Sequence, residues 1–294
     1  KGFRGLVEAK YDSLSILKMY KNLITLKNIE TSNLLNLIWS TDYLIFEKLI
    51  DNVILDFLCN LSLTHPSPDR IYNEGKPEYD VNQSVRSSSI KMVIWSGYNK
   101  SFSNQIFETV EKVMYDKQLA VKTSILINVH YIKILDKNRA FKIFNTLTDT
   151  NQIELLKNSF KAADYYKYEF FNEMLPYFNR IIENQELHKS GAVILSKAIV
   201  QNSNFEKSNE LLIRLTRNSE IAICSVLNVA ETNLFYENKF NEHCFDLIMR
   251  YLKIDGDDIS SRYSGFILRA INVDNFKLLY PFLQRYVESN HIIK

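Results

Sequence analysis

The densest run of potentially reactive side chains is Val85-Arg86-Ser87-Ser88-Ser89. A serine nucleophile needs a neighbouring base and a sharp turn that presents its oxygen, as in G-x-S-x-G. No such turn surrounds Ser87, Ser88 or Ser89, so these serines read as small packing residues. Arg86 has the charge for a phosphate, but it also belongs to a recurring basic series described below. His243-Cys244, with Cys59 and Cys224 far away, lacks metal-ligand spacings such as C-x-x-C or H-E-x-x-H. His65, His130, His188 and His291 fall in separate elements. Asp255, Asp257 and Asp258 begin like a calcium loop, but the closing glutamate is missing and a helix cap fits better. No glycine-rich phosphate loop is present. The expectation is no catalytic residue, no metal and no cofactor.

Two stretches suit binding rather than chemistry. Asp164 to Phe171 (DYYKYEFF) is dense in aromatics. With lysine nearby it could stack bases, although most of it is expected to pack between helices. Thr64 to Val81 is a long connection in a chain whose other connections look short, and long loops are functional or disordered. It carries Asp69, Arg70, Tyr72, Glu74, Lys76 and Tyr79, a mixed-charge aromatic set suited to a protein partner. A floppy insertion fits the same composition.

Helices must position these groups. Only 7 glycines and 5 prolines occur in 294 residues, too few for sheet-rich folds joined by many tight turns. Apolar residues make up 46% and charged residues 24%, the balance of an ordinary globular chain. The 36 basic residues nearly cancel the 34 acidic ones, leaving +2 and no strong field for nucleic acid or an anionic membrane. Three unpaired-looking cysteines suit a reducing compartment, so a cytoplasmic location is expected. No apolar run spans a bilayer. A start at Lys1 rather than methionine suggests a piece of a longer protein.

A repeat organises the chain. Val85, Ser88, Ser89, Met92, Val93 and Ser96 share one helical face. Comparable helix starts follow at Val121, Leu156, His188, Ile223 and Ser261, with spacings of 36, 35, 32, 35 and 38 residues. Asp or Asn precedes each start, as for a cap. A basic residue comes next in most units and a small one sits three positions on. Asp80, Arg86, Asp116, Lys122, Lys157, Lys189 and Arg262 would form a structural ladder, each basic side chain reaching the acidic cap of the preceding unit. Periods of this length holding two helices each predict an all-α solenoid of antiparallel helix pairs. The Asp or Asn cap and the Val-Arg pair opening a helix resemble HEAT repeats, and that resemblance implies a HEAT-like α-solenoid with a right-handed superhelix. It would occupy 82–294 in about six pairs. Upstream, 1–63 holds three helices starting near Ser13 or Ser15, Thr31 or Ser32, and Thr41 or Asp42; this region is a degenerate first repeat, a cap or the end of an upstream domain, and 64–81 is the long loop. Pro176 and Pro281 predict a kink or late start in two of the second helices.

The segment HPSPD followed by NQSVRSSSIKMVI resembles the loop-and-helix "HP-x-P … N-S-V-R-G-x-A" in the C-terminal helical arrays of large bacterial STAND-type (NACHT-like) NTPases, many associated with antiviral defence. AVKTSILINVHYIKILDKNRAFKIFNTL is similar to their next unit. Ser87 stands where glycine is usual in that pattern. The resemblance covers about His65 to Thr148 and becomes generic beyond it. It implies a non-catalytic, protein-binding sensor region with the ATPase and effector domains upstream. The partner would be a protein, such as a phage protein or another domain of the same chain. The competing reading is a HEAT-like nucleic-acid binder or a general scaffold; nucleic-acid binding needs a basic stripe that the charge balance speaks against.

Overall fold

The computed structural model describes residues 12–26, 28–66, 80–201, 205–235, 240–251 and 276–288. Among them every regular element is helical. The chain divides into two compact units, Lys1–Tyr166 and Lys167–Lys294.

In the first unit, α1 (Ser13–Ile24), α2 (Thr31–Phe46) and α3 (Asn52–Thr64) precede α4 (Val85–Trp95). Then come α5 (Ser103–Val113), α6 (Leu119–Asn128), α7 (Lys137–Thr148) and α8 (Ile153–Tyr166). Short 3-10 turns cover Ser96–Tyr98, Lys100–Phe102 and Val129–Ile134. Helix α3 packs on α4, α4 on α6 and α6 on α8, forming one row. A second row begins with α5 on α3 and continues with α7 on α5. Helix α2 also packs on α4. The three upstream helices therefore share a compact unit with the first repeats.

Helix α4 shows what the serines do. The sequence pattern gives it a single apolar face, yet Val85, Ser87, Ser88, Ser89, Ile90, Met92, Val93 and Ile94 are all buried. Neighbours α2, α3, α5 and α6 surround it, and small side chains permit that approach. The residues three past each described start, Ser88, Ser124, Ser159, Gly191 and Val226, are all buried.

The caps are local. Asp12 accepts from the Ser15 amide at 2.9 Å, Asp51 from Ile54 at 3.2 Å, and Asp136 from Asn138 and Arg139 at 3.0 Å. Asp116 accepts from Gln118 at 2.8 Å and Asn184 from Glu186 at 3.1 Å, so these two shape the turn before a helix. At the fifth start the capping oxygen is that of Ser219 rather than Asn218.

Helix α2 corrects the expected start near Thr41 or Asp42. It runs unbroken from Thr31 to Phe46. The Thr41 hydroxyl is paired with the Tyr20 hydroxyl at 2.6 Å instead of capping. The helix ends where Lys48 takes φ 57°, with its amide bonded to Ile45 O and the Leu49 amide to Leu44 O. That is a Schellman stop made without glycine. Helix α3 then begins on the Asp51 cap.

In the second unit, α9 (Leu175–Glu183) and a 3-10 turn (Gln185–Leu187) lead into α10 (His188–Val200). They are followed by α11 (Phe205–Thr216), α12 (Glu220–Asn233), α13 (Glu242–Tyr251) and α14 (Phe276–Glu288). Helix α10 packs on α9, α11 and α12, and α12 on α13. Pro176 sits in the first turn of α9, the late start expected for a residue without an amide hydrogen. Pro281 lies inside α14.

Candidate functional site

The serine cluster is interior. Ser87 donates to Val81 O at 2.6 Å, Ser88 to Val81 O at 3.3 Å, and Ser124 to Ser87 O at 2.7 Å. These hydroxyls tie the start of α4 to the preceding turn and to α6. None of the three α4 serines reaches solvent.

Arg86 forms a salt bridge with Asp116, and both side chains are largely buried. Burial pulls the guanidinium below its ordinary range. The pair runs from Arg86 to the turn that follows it in the chain, opposite to the expected direction. Lys122 is half-buried, and Lys157 and Lys189 are exposed. Asp80 opens the turn into α4. Arg262 lies outside the described residues, as do Asp255, Asp257, Asp258 and His291.

The loop candidates Asp69, Arg70, Tyr72, Glu74, Lys76 and Tyr79 also lie outside the described residues. At the loop's edges, His65 Nδ1 lies 2.9 Å from Pro66 O, and Val81 is buried. Cys59 and Cys244 are buried, and desolvation pushes the Cys244 thiol up to about 12. His243 packs on Phe205 with ring centroids 4.9 Å apart. His188 Nε2 lies 2.9 Å from Ile182 O. Among the described residues, no three His, Cys, Asp or Glu side chains gather as a metal site.

The structure brings together a different set. Along the C-terminal ends of α4, α6 and α8, aromatic rings alternate with cations. Lys91 Nζ stands 4.5 Å from the Trp95 ring centroid and also donates to Asn82 at 3.2 Å. Trp95 meets Tyr131 edge to face at 6.1 Å, and its indole N–H donates to Asn128 at 2.8 Å. Lys161 Nζ lies 5.1 Å from the Tyr131 ring and 3.2 Å from its hydroxyl. His130 is flanked by Tyr131 at 4.2 Å and Tyr165, stacked at 4.6 Å. Lys133 Nζ lies 3.4 Å from Tyr165 O. Cation–π and stacking contacts of this kind hold exposed rings in place.

Beside this ridge lies an open apolar groove of about 350 Å³, lined by Ile45, Ile94, Trp95, Gly97, Tyr98, Tyr131 and Ile134. Tyr131 is 46% exposed and Ile134 72%. Phe46, next to the groove-lining Ile45, is 81% exposed.

The surroundings disfavour the charged forms of the ridge's own basic groups. Burial, reinforced by the nearby Lys161 charge, pulls His130 down to about 4. Desolvation lowers Lys91, opposed by Asp42.

The run Asp164 to Phe171 divides. Tyr166 and Phe171 are buried, whereas Tyr165 and Tyr168 remain 49% and 45% exposed. Sequence reading placed Tyr165 in an aromatic run but did not connect it with Trp95 and Tyr131. The signal lay in the repeat itself. Trp95 and Tyr131 each fall ten residues past their starts, Val85 and Val121, and Tyr165 falls nine past Leu156.

Set against protein-family models, curated proteins and solved structures, the chain matches none of them.

Proposed function

We propose that this chain is a non-catalytic, protein-binding helical array. On the narrower reading it is a HEAT-like solenoid serving as the cytoplasmic target-sensing region of a larger bacterial antiviral STAND-type NTPase. The observation that carries the binding role is the open groove around Trp95, Tyr131 and Ile134. Exposed apolar patches cost solvation free energy and mark interaction sites when they persist in a folded protein. Aromatic residues held rigidly by neighbours are also the side chains that dominate interface energetics. The resemblance of His65 to Thr148 to STAND-type arrays supports the narrower reading. Among the described residues no helix is long and apolar enough to cross a membrane.

The test is site-specific crosslinking in bacterial cells carrying the full-length gene, with and without phage infection. A photoreactive amino acid replaces Tyr131, and a control replaces Tyr115, which is 69% exposed and does not line the groove. Protein adducts at 131 and their absence at 115 are the expected result. Absence of adducts at 131 in both conditions would remove the binding role from this face. A gene without a nucleotide-binding motif upstream of these residues would remove the narrower reading.

A further inference from the structure

We propose that the groove binds an acidic peptide segment of the partner, with a bulky apolar side chain seated among Trp95, Tyr131 and Ile134 and carboxylates meeting Lys91 and Lys161. The proposal rests on the protein-binding reading and names the chemistry of its partner.

The argument starts from charge placement. Lys91 and Lys161 stand over the two rings that line the groove, within 4.5 and 5.1 Å of their centroids. Among the described residues neither is held by a carboxylate at salt-bridge distance; their polar contacts are Asn82 and the Tyr131 hydroxyl. Lys91 is half-buried, so its charge is partly desolvated while no carboxylate among the described residues pairs with it. Asp42 acts on it only through space. Two cations over rings that line an apolar groove complement an apolar side chain flanked by carboxylates, and such pairing sets partner choice and encounter rate.

The same observations favour a peptide over nucleic acid. Base stacking needs an open aromatic face. Lys91 stands at the Trp95 ring, His130 and Lys161 stand at Tyr131, and His130 covers one face of Tyr165. Beside Trp95, Gly97, Tyr98 and Tyr131, the groove is lined by Ile45, Ile94 and Ile134, three side chains that offer aliphatic contact and no partner for a base edge.

The experiment selects random peptides on the full chain and measures the selected peptides by Trp95 fluorescence. A Trp39→Phe background leaves Trp95 as the sole indole, because the chain has 2 tryptophans. Selected peptides are expected to join Asp or Glu to an aromatic or long aliphatic residue and to shift Trp95 emission. Binding should weaken about tenfold in Lys91→Glu/Lys161→Glu and similarly in Ile134→Asp, with marked salt dependence for the first contact set. Circular dichroism confirms that the variants, altered at exposed or half-buried positions, remain folded. Selected peptides without acidic bias, or binding unchanged in both variants, would overturn the proposal. So would a labelled oligothymidylate that binds the parent more tightly than the peptides and displaces them. Crosslinked partners at Tyr131 combined with failed peptide selection would leave protein binding standing and remove only the acidic-peptide assignment.

Discussion

At the scale of single residues, the informative side chain is His130, an isolated histidine in the sequence. It is 7% exposed, wedged between Tyr131 and Tyr165, and among the described residues neither ring nitrogen has a hydrogen-bond partner. The folded protein therefore holds it neutral, down to about 4 against an ordinary 6.5. The unfolded chain takes up the proton near 6.5 and the folded chain only near 4. Between those values the unfolded state binds more protons, so acid weakens the fold. Above the upper value the residue contributes no pH dependence, and below the lower value the loss is complete. Denaturant unfolding at pH 7 and pH 4.5 should show the parent losing on the order of 2 kcal/mol more than His130→Phe, which keeps an aromatic ring and cannot titrate. Equal losses in the two proteins would sink this assignment. Nothing at position 130 announces this in the sequence, because the shift is made by burial and by the Lys161 charge, and Lys161 arrives from another helix. The serines show the complementary case. Their lack of a nucleophile turn was readable, and so was their role as spacers, but their bonds to Val81 and the link from Ser124 depend on how α4 meets α6.

At the scale of elements, helix starts were legible where a side chain decides them and obscure where packing does. The first helix begins at Ser13, one of its two expected starts, on the local Asp12 cap, and the second begins at Thr31, one of its two expected starts, without a side-chain cap bond. The expected break near Thr41 failed because Thr41 spends its hydroxyl on Tyr20 and the α2 stop is a backbone motif at Lys48, a residue with no stop signal of its own. The recurring small position was the strongest element signal, and Gly191 gives its sharpest test. A Cβ there would lie 2.4 Å from Ile181 Cγ2 and 3.5 Å from Leu215 Cδ2. Replacing glycine by alanine in a helix interior ordinarily gains about 1 kcal/mol. Here the contact is with a β-branched side chain that is 1% exposed and has little room to turn. Overpacking of this kind costs about 1–3 kcal/mol, so the clash wins. Gly191→Ala should lower the thermal midpoint, as followed by circular dichroism; a raised midpoint would mean that α9 and α10 can separate without loss.

At the scale of the whole molecule, the all-helical class was readable from scarce glycine and proline and from the repeated helix starts. The division into two compact units was not, because the repeat continues through Tyr166 and Lys167 without a compositional break. What closes the first unit is burial. Leu155, Leu156, Ala162, Ala163 and Tyr166 of α8 are all buried, and the Tyr166 ring packs on Phe141 at 5.5 Å and Phe144 at 5.1 Å. Helix α8 thus covers the faces of α6 and α7 that a shorter chain would expose. In stacked helical units each element is stabilised by its neighbours, and a bare apolar end is costly. A fragment of this length can bury enough surface to fold alone. Residues 1–166 are therefore expected to unfold in one cooperative thermal transition, whereas 1–152, which lacks α8, should melt at lower temperature over a broader range and expose apolar surface to a hydrophobic dye. Equivalent melting of the two fragments would show that α8 is an appendage, and would place the end of the self-supporting core before Ile153.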